Sequence, residues 1–172
     1  MAKFKKAALV CVLAAVAAVS LMFVGCSGGG AEVKGIYLNS IARYTVIEQG
    51  RLLAAYTTSM SVYTDDTFTA NCVQNTLYSS DGTAYNPTFF GIYTLYGTYE
   101  VVSEDAVLNE TTVRISDVTA IETADGMMEK SAFPAEVTEA LNADIIGKEV
   151  ILQADLQMNE SLSVDSLFAC FQ

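Results

Sequence analysis

Residues 90–102 read Phe-Gly-Ile-Tyr-Thr-Leu-Tyr-Gly-Thr-Tyr-Glu-Val-Val. Aromatic and β-branched side chains dominate, as strands favour. Tyr93, Leu95, Tyr99 and Val101 alternate onto one face, and Ile92, Tyr96 and Val102 onto the other. Both faces are partly apolar, which predicts a central or sandwiched strand. Gly91 and Gly97 predict bends or bulges of the kind closed sheets need.

Working upstream, residues 79–82 are Ser-Ser-Asp-Gly, a turn cluster whose loop continues through Asn86-Pro87. Before it, residues 67–78 place Phe68, Ala70 and Cys72 on one face, and Asp65-Asp66 turns the chain. Residues 51–63 complete a hairpin with that segment, their first part readable as a short helical turn. Residues 35–46 form a first extended segment, broken by Gly50.

Downstream, Ser103-Glu104-Asp105 turns, Val107 and Leu108 begin or edge the next strand, and residues 111–121 form it. Asp125-Gly126 turns again. Residues 134–146 read as a helix: Pro134 suits a first turn, Val137, Ala140, Leu141 and Ile145 share a face, and Gly147 suits the stop. Residues 148–159 alternate cleanly, with Val150, Leu152, Ala154, Leu156 and Met158 on one side. Residues 162–171 finish the sheet. The chain is therefore expected to be mainly β: an antiparallel barrel or sandwich of about seven to eight strands with one amphipathic helix.

The N-terminus is of another kind. Lys3, Lys5 and Lys6 precede an apolar run, residues 7–23, whose only polar side chain is Ser20. A basic head on an apolar core of this length is how an export signal reads. The run ends Phe23-Val24-Gly25-Cys26, followed by Ser27-Gly28-Gly29-Gly30. This junction resembles the lipobox of bacterial lipoproteins, with Phe23 where that family usually has Leu. The resemblance implies a diacylglyceryl group on the Cys26 thiol and cleavage before it. The other reading is an uncleaved signal anchor. Either tethers a domain to the membrane on its extracytoplasmic side, and a dual acyl anchor is stable where a single chain is marginal. The expected organisation is a signal peptide over 1–25, lipidated Cys26 with a flexible Gly-rich tether over 26–34, and one β-rich domain over 35–172.

All 20 acidic residues lie after Cys26, against six basic ones, giving that part a net charge of −14. Such a surface repels phosphate backbones and anionic headgroups, so no nucleic-acid partner is expected. The carboxylates are scattered, as solubility alone requires. Of four cysteines, Cys72 and Cys170 remain beyond the anchor. An oxidising compartment permits a disulfide between them, and two separate buried thiols are the alternative.

Absences narrow the chemistry. The chain has no histidine, which removes Ser-His-Asp and Cys-His catalysis and the usual zinc and copper sites. No phosphate-binding loop, dinucleotide fingerprint or calcium loop is present. Neither a metal nor a cofactor is expected beyond the lipid on Cys26, and the chain is not expected to be an enzyme. Asp65/Asp66, Glu104/Asp105 and Asp117/Glu122 are the carboxylate pairs a hydrolase would need, and all sit in or near turns, where solvated acids are ordinary.

Gly35-Ile36-Tyr37 is similar to the Gly-x-Trp that opens lipocalins, with Tyr37 in place of Trp. That resemblance implies an up-and-down barrel, although the expected helix precedes the last two strands rather than following the eighth. Many lipocalins also link a C-terminal segment to a mid-barrel strand by a disulfide, as Cys72 and Cys170 would here.

The aromatic stretch Tyr85, Phe89, Phe90, Tyr93, Tyr96 and Tyr99 is the candidate ligand-binding set. Core packing and cross-strand tyrosine pairs are the alternative. Three functions follow: a tethered module binding a small apolar ligand or an envelope or extracellular partner, an accessory envelope protein without a pocket, and a carboxylate-based hydrolase.

Overall fold

The strand expected at residues 90–102 is longer and sits within a continuous meander. The computed structural model describes residues 31–47, 50–81, 83–84, 86–159, 167 and 170. Its strands are β1 (Val33–Ile47), β2 (Gly50–Tyr63), β3 (Thr67–Ser79), β4 (Asn86–Asp105), β5 (Glu110–Thr123), β6 (Gly126–Glu129) and β7 (Glu149–Gln153). A 3-10 turn, Lys130–Ala132, and a helix α1, Ala135–Asp144, separate β6 from β7. The signal segment and Cys26 lie outside the described residues, as does most of the strand expected over 162–171.

The fold is mainly antiparallel β, a nearly closed barrel-like sheet of seven strands with one helix among the described residues. Strands β1 to β6 pair in sequence order, and β7 pairs with β5. The far edge of β5 is shared. Residues 120–123 pair with β6, and residues 110–114 pair with β7. The ring then closes through the segment after β7. The Leu38 N–H donates to the Leu156 carbonyl at 3.0 Å, and the Met158 N–H to the Leu38 carbonyl at 3.2 Å. Closure shortens the unpaired edges that invite aggregation.

Alternation puts one face of each strand inside. Met60 and Val62 of β2, Phe68, Ala70 and Cys72 of β3, and Tyr93, Leu95 and Tyr99 of β4 are buried together with Val113, Ile115, Val118 and Ile121 of β5. Register shifts between β4 and β5 at Tyr96/Gly97 and Thr98/Tyr99 let Ile115, Val118 and Ile121 all face inward despite their uneven spacing. Val137, Leu141 and Ile145 join the same core, so α1 packs one face onto it at the spacing its sequence shows. Pro134 caps α1, and Gly147 ends the turn after it with a φ of 83°.

Several expectations need correction. Residues 103–105, expected to turn, and Asn86-Pro87, expected as loop, are the two ends of β4, because they pair with β5 and β3. The first part of residues 51–63 is strand, not a helical turn, because it pairs on both sides with β1 and β3. Val107 and Leu108 are turn residues; the Asp105 carboxylate accepts both their N–H groups, which holds the chain out of the ladder. The strand expected over 148–159 stops at Gln153. Leu156 takes a φ of 67° and points outward, since the chain reverses there to reach β1. Pairing also begins earlier than the expected tether allows: the Thr64 N–H donates to the Glu32 carbonyl, and Lys34 lies within β1.

Candidate functional site

Register across β1 to β4 defines three rungs of inward-facing residues. The lowest is Tyr37, Met60, Ala70 and Leu95, and Leu95 continues it to Ile121 of β5. The next is Asn39, Thr58, Cys72 and Tyr93. The third is Tyr56, Gln74 and Gly91, with the Ile41 backbone paired to Tyr56. Pairing of β4 with β5 ends at Thr94, so the barrel closes at the first rung and the second forms its lip. Beyond the lip, β1 to β4 continue as a four-stranded extension of the same sheet.

The lip changes character from apolar to polar. Thr58 and Cys72 are both buried, and the Thr58 hydroxyl interacts with the Cys72 thiol. Burial pushes that thiol up to about 12, so it stays protonated and unreactive. Beside them Asn39 donates its side-chain amide to the Met158 carbonyl at 2.8 Å. A carbonyl can only accept, which fixes the amide orientation and leaves Asn39 Oδ1 as an acceptor. That oxygen is buried and has no hydrogen-bond partner. One rung up, Gln74 Nε2 donates to the Tyr56 hydroxyl at 3.3 Å, and Gln74 Oε1 is likewise buried and unpartnered. Orphaned buried acceptors are rare because each forgoes about 1–3 kcal/mol. Around them Leu52, Ala54, Tyr56, Thr76 and Tyr78 are half-buried, and Gly91 contributes no side chain next to Gln74.

The expected aromatic set does not form one wall. Tyr93 faces inward at the lip, 6% exposed, and burial raises its phenol. Tyr99 also faces inward but is structural. Its hydroxyl donates to the Tyr63 carbonyl at 3.1 Å, and Lys34 Nζ reaches the same hydroxyl at 3.3 Å and Asp66 Oδ1 at 3.3 Å. These bonds, Tyr99 first, raise the Lys34 ammonium. Tyr96 faces outward, and its hydroxyl donates to Glu122 Oε2 at 2.7 Å. Burial first, then the Glu122 carboxylate, pushes Tyr96 up to about 12. Phe90 is placed by its backbone, paired with Asn75 in β3. Tyr85 lies outside the described residues.

No disulfide joins Cys72 and Cys170; both are thiols. Of the two separate thiols, only Cys72 is buried. Cys72 is enclosed on the second rung, whereas Cys170 is half-buried within the field of Glu136 near the start of α1. Of the carboxylates named as hydrolase candidates, Asp65, Asp66, Asp105, Asp117 and Glu122 have structural partners, Asp105 accepting from the Val107 and Leu108 N–H groups. Asp65 accepts from the Thr67 N–H and hydroxyl, Asp66 pairs with Lys34, Asp117 holds Lys130 at 2.7 Å, and Glu122 holds Tyr96. Among the described residues no group of acids and cysteines is arranged to hold a metal ion, and no helix is long and apolar enough to cross a membrane.

Asn39 and Gln74 were not singled out from the sequence. The available signal was parity: each is the first amide side chain on the inward alternation of its strand, Asn39 after Tyr37 and Gln74 after Phe68, Ala70 and Cys72. Against this geometry, comparisons with protein-family models, with curated proteins and with solved structures found no match to the chain.

Proposed function

We propose that the chain is a bacterial lipoprotein, tethered through a lipid on Cys26, whose barrel is an extracytoplasmic binding module for a small, largely apolar ligand. The observation that carries the binding reading is the lip itself. Beyond it the inner face is half-buried and mixed in character, and two acceptors, Asn39 Oδ1 at the lip and Gln74 Oε1 one rung up, are desolvated without partners. Ligand sites combine an apolar lining with a few such polar groups. The anchor rests on the Lys-rich head, the apolar run and the Gly25-Cys26 junction.

Two measurements test this. Cells fed labelled palmitate should label the wild-type chain and not Cys26→Ser; equal labelling of both would remove the anchor. The full-length anchored chain should enhance the fluorescence of an apolar dye, and Ala54→Trp, which fills the inner face beyond the lip, should abolish the enhancement while thermal unfolding stays cooperative. Undiminished enhancement in Ala54→Trp would remove the site.

A second reading, an accessory envelope protein acting through its surface, is favoured by the β4–β5 tip. Val107 is 93% exposed and Leu108 64% exposed on a turn held by Asp105. Replacing both by Ser should change stability by no more than about 0.5 kcal/mol. A loss of cellular function with that stability intact would favour this reading.

A further inference from the structure

The lip constrains the head group of whatever binds there, an inference that rests on the binding-module reading above. Its buried side-chain atoms without a partner are acceptors. Asn39 Oδ1 is an acceptor by necessity, because the Asn39 amide nitrogen faces the Met158 carbonyl at 2.8 Å. Gln74 Oε1 is the second where the Gln74 nitrogen donates to the Tyr56 hydroxyl, a partner that, unlike a carbonyl, does not by itself fix the amide. Both oxygens are buried and unpartnered. They lie on the same inner face, one rung apart and two strand spacings across, so about 10 Å separates their strands.

A carboxylate or phosphate brings only acceptors at neutral pH and leaves both oxygens orphaned. A hydroxyl or ammonium group supplies the missing hydrogen. Charge argues the same way. The chain carries a net charge of −11, and the field of such a surface disfavours an anion. Further along the same face, one and two rungs beyond Gln74, the half-buried Ala54, Leu52 and Tyr78 offer apolar surface to a tail. We infer that the lip selects a donor-headed amphiphile, an alcohol or amine on a hydrocarbon tail, and rejects the fatty acid of the same length.

Three water-soluble probes with one tail and different heads separate these cases: octan-1-ol, octylamine and octanoate. Each is titrated, at known free concentration, against the full-length chain anchored on phosphatidylcholine nanodiscs. Amide hydrogen exchange in β1 to β3 is the readout. Octanol and octylamine should protect these strands at concentrations about tenfold or more below octanoate, since sites built to bond a polar group reject analogues that cannot answer it. Asn39→Leu should erase most of that preference, and Gln74→Met, which leaves the Met158 contact in place, should reduce it. Octanoate binding as well as octanol would overturn the head-group inference while leaving the binding module standing. Failure of all three probes to protect the strands would overturn both.

Discussion

The ring of Phe68 occupies the space that a side chain at Gly97 would take. A Cβ built on Gly97 falls 2.6 Å from Phe68 Cε1 and 2.1 Å from the Asp117 carbonyl oxygen. The glycine thus lets β4 approach β5 at the register shift, where Gly97 pairs with Val118, and lets Phe68, the largest fully buried side chain among the described residues, pack against it. Gly97→Ala should therefore cost about 1–3 kcal/mol, as overpacking does, because the Asp117 contact is backbone and cannot swing away. Urea unfolding of the two proteins measures this. An unchanged midpoint would mean that β4 and β5 do not approach as described.

Tyr99 should behave as a tie between strand ends. Tyr99→Phe keeps the ring and removes the bond to the Tyr63 carbonyl, at a cost of about 1 kcal/mol. Amide exchange should rise at the start of β1 and around the β2–β3 turn, where Lys34 bridges the Tyr99 hydroxyl to the Asp66 carboxylate. A change spread evenly over the domain would argue against the tie.

Alkaline pH should loosen the fold through Tyr96. Its folded pKa is pushed up to about 12 from an ordinary value of 10.0. Between those values the unfolded chain gives up a proton that the native state keeps, so stability is intact below pH 10 and falls as pH rises toward 12. Tyr96→Phe should flatten that decline. Thermal unfolding between pH 9 and about 11.5, run on both proteins, shows whether it does.

Cys72 should be chemically silent in the native protein. It is 0% exposed and its thiol is held protonated. Iodoacetamide should label it only after denaturant is added, with mass-mapped peptides giving the site. Rapid native labelling would show that the second rung opens readily.

Acid should act through the turn carboxylates. Asp65 titrates below its ordinary 3.8, held there chiefly by the Thr67 hydroxyl, and Asp81 likewise by Thr83. Stability from these bonds is present above the unfolded carboxylate range and is lost as pH falls below it. Asp65→Asn should shift the acid midpoint upward only slightly, since the group is exposed. A circular-dichroism titration checks the direction.

Local pattern made much of this legible. The two-faced alternation of residues 90–102 marked a strand inside a sheet, and Val137, Ala140, Leu141 and Ile145 marked the helix face that is buried. Features set by tertiary pairing were not legible. Leu156 alternates correctly with Val150 and Leu152, yet it points outward because the chain reverses to meet Leu38. The short strand β6 has only four residues and no pattern to announce it. Tyr93, Tyr96 and Tyr99 look alike in sequence; one faces the lip, one bonds Glu122 outside and one ties strand ends. The roles of Asn39 and Gln74 depend on which rung they occupy and on Met158, about 120 residues from Asn39 in a chain whose meander brings them together.

The most direct test of the binding account is a quantitative solvent extract of the full-length chain, purified from the envelope of its producing cells and analysed by mass spectrometry against the Ala54→Trp variant. The account predicts one small molecule with an apolar body per wild-type chain and none from the variant. A clean extract from folded wild-type protein, or the same molecules in equal amount from both, would contradict it.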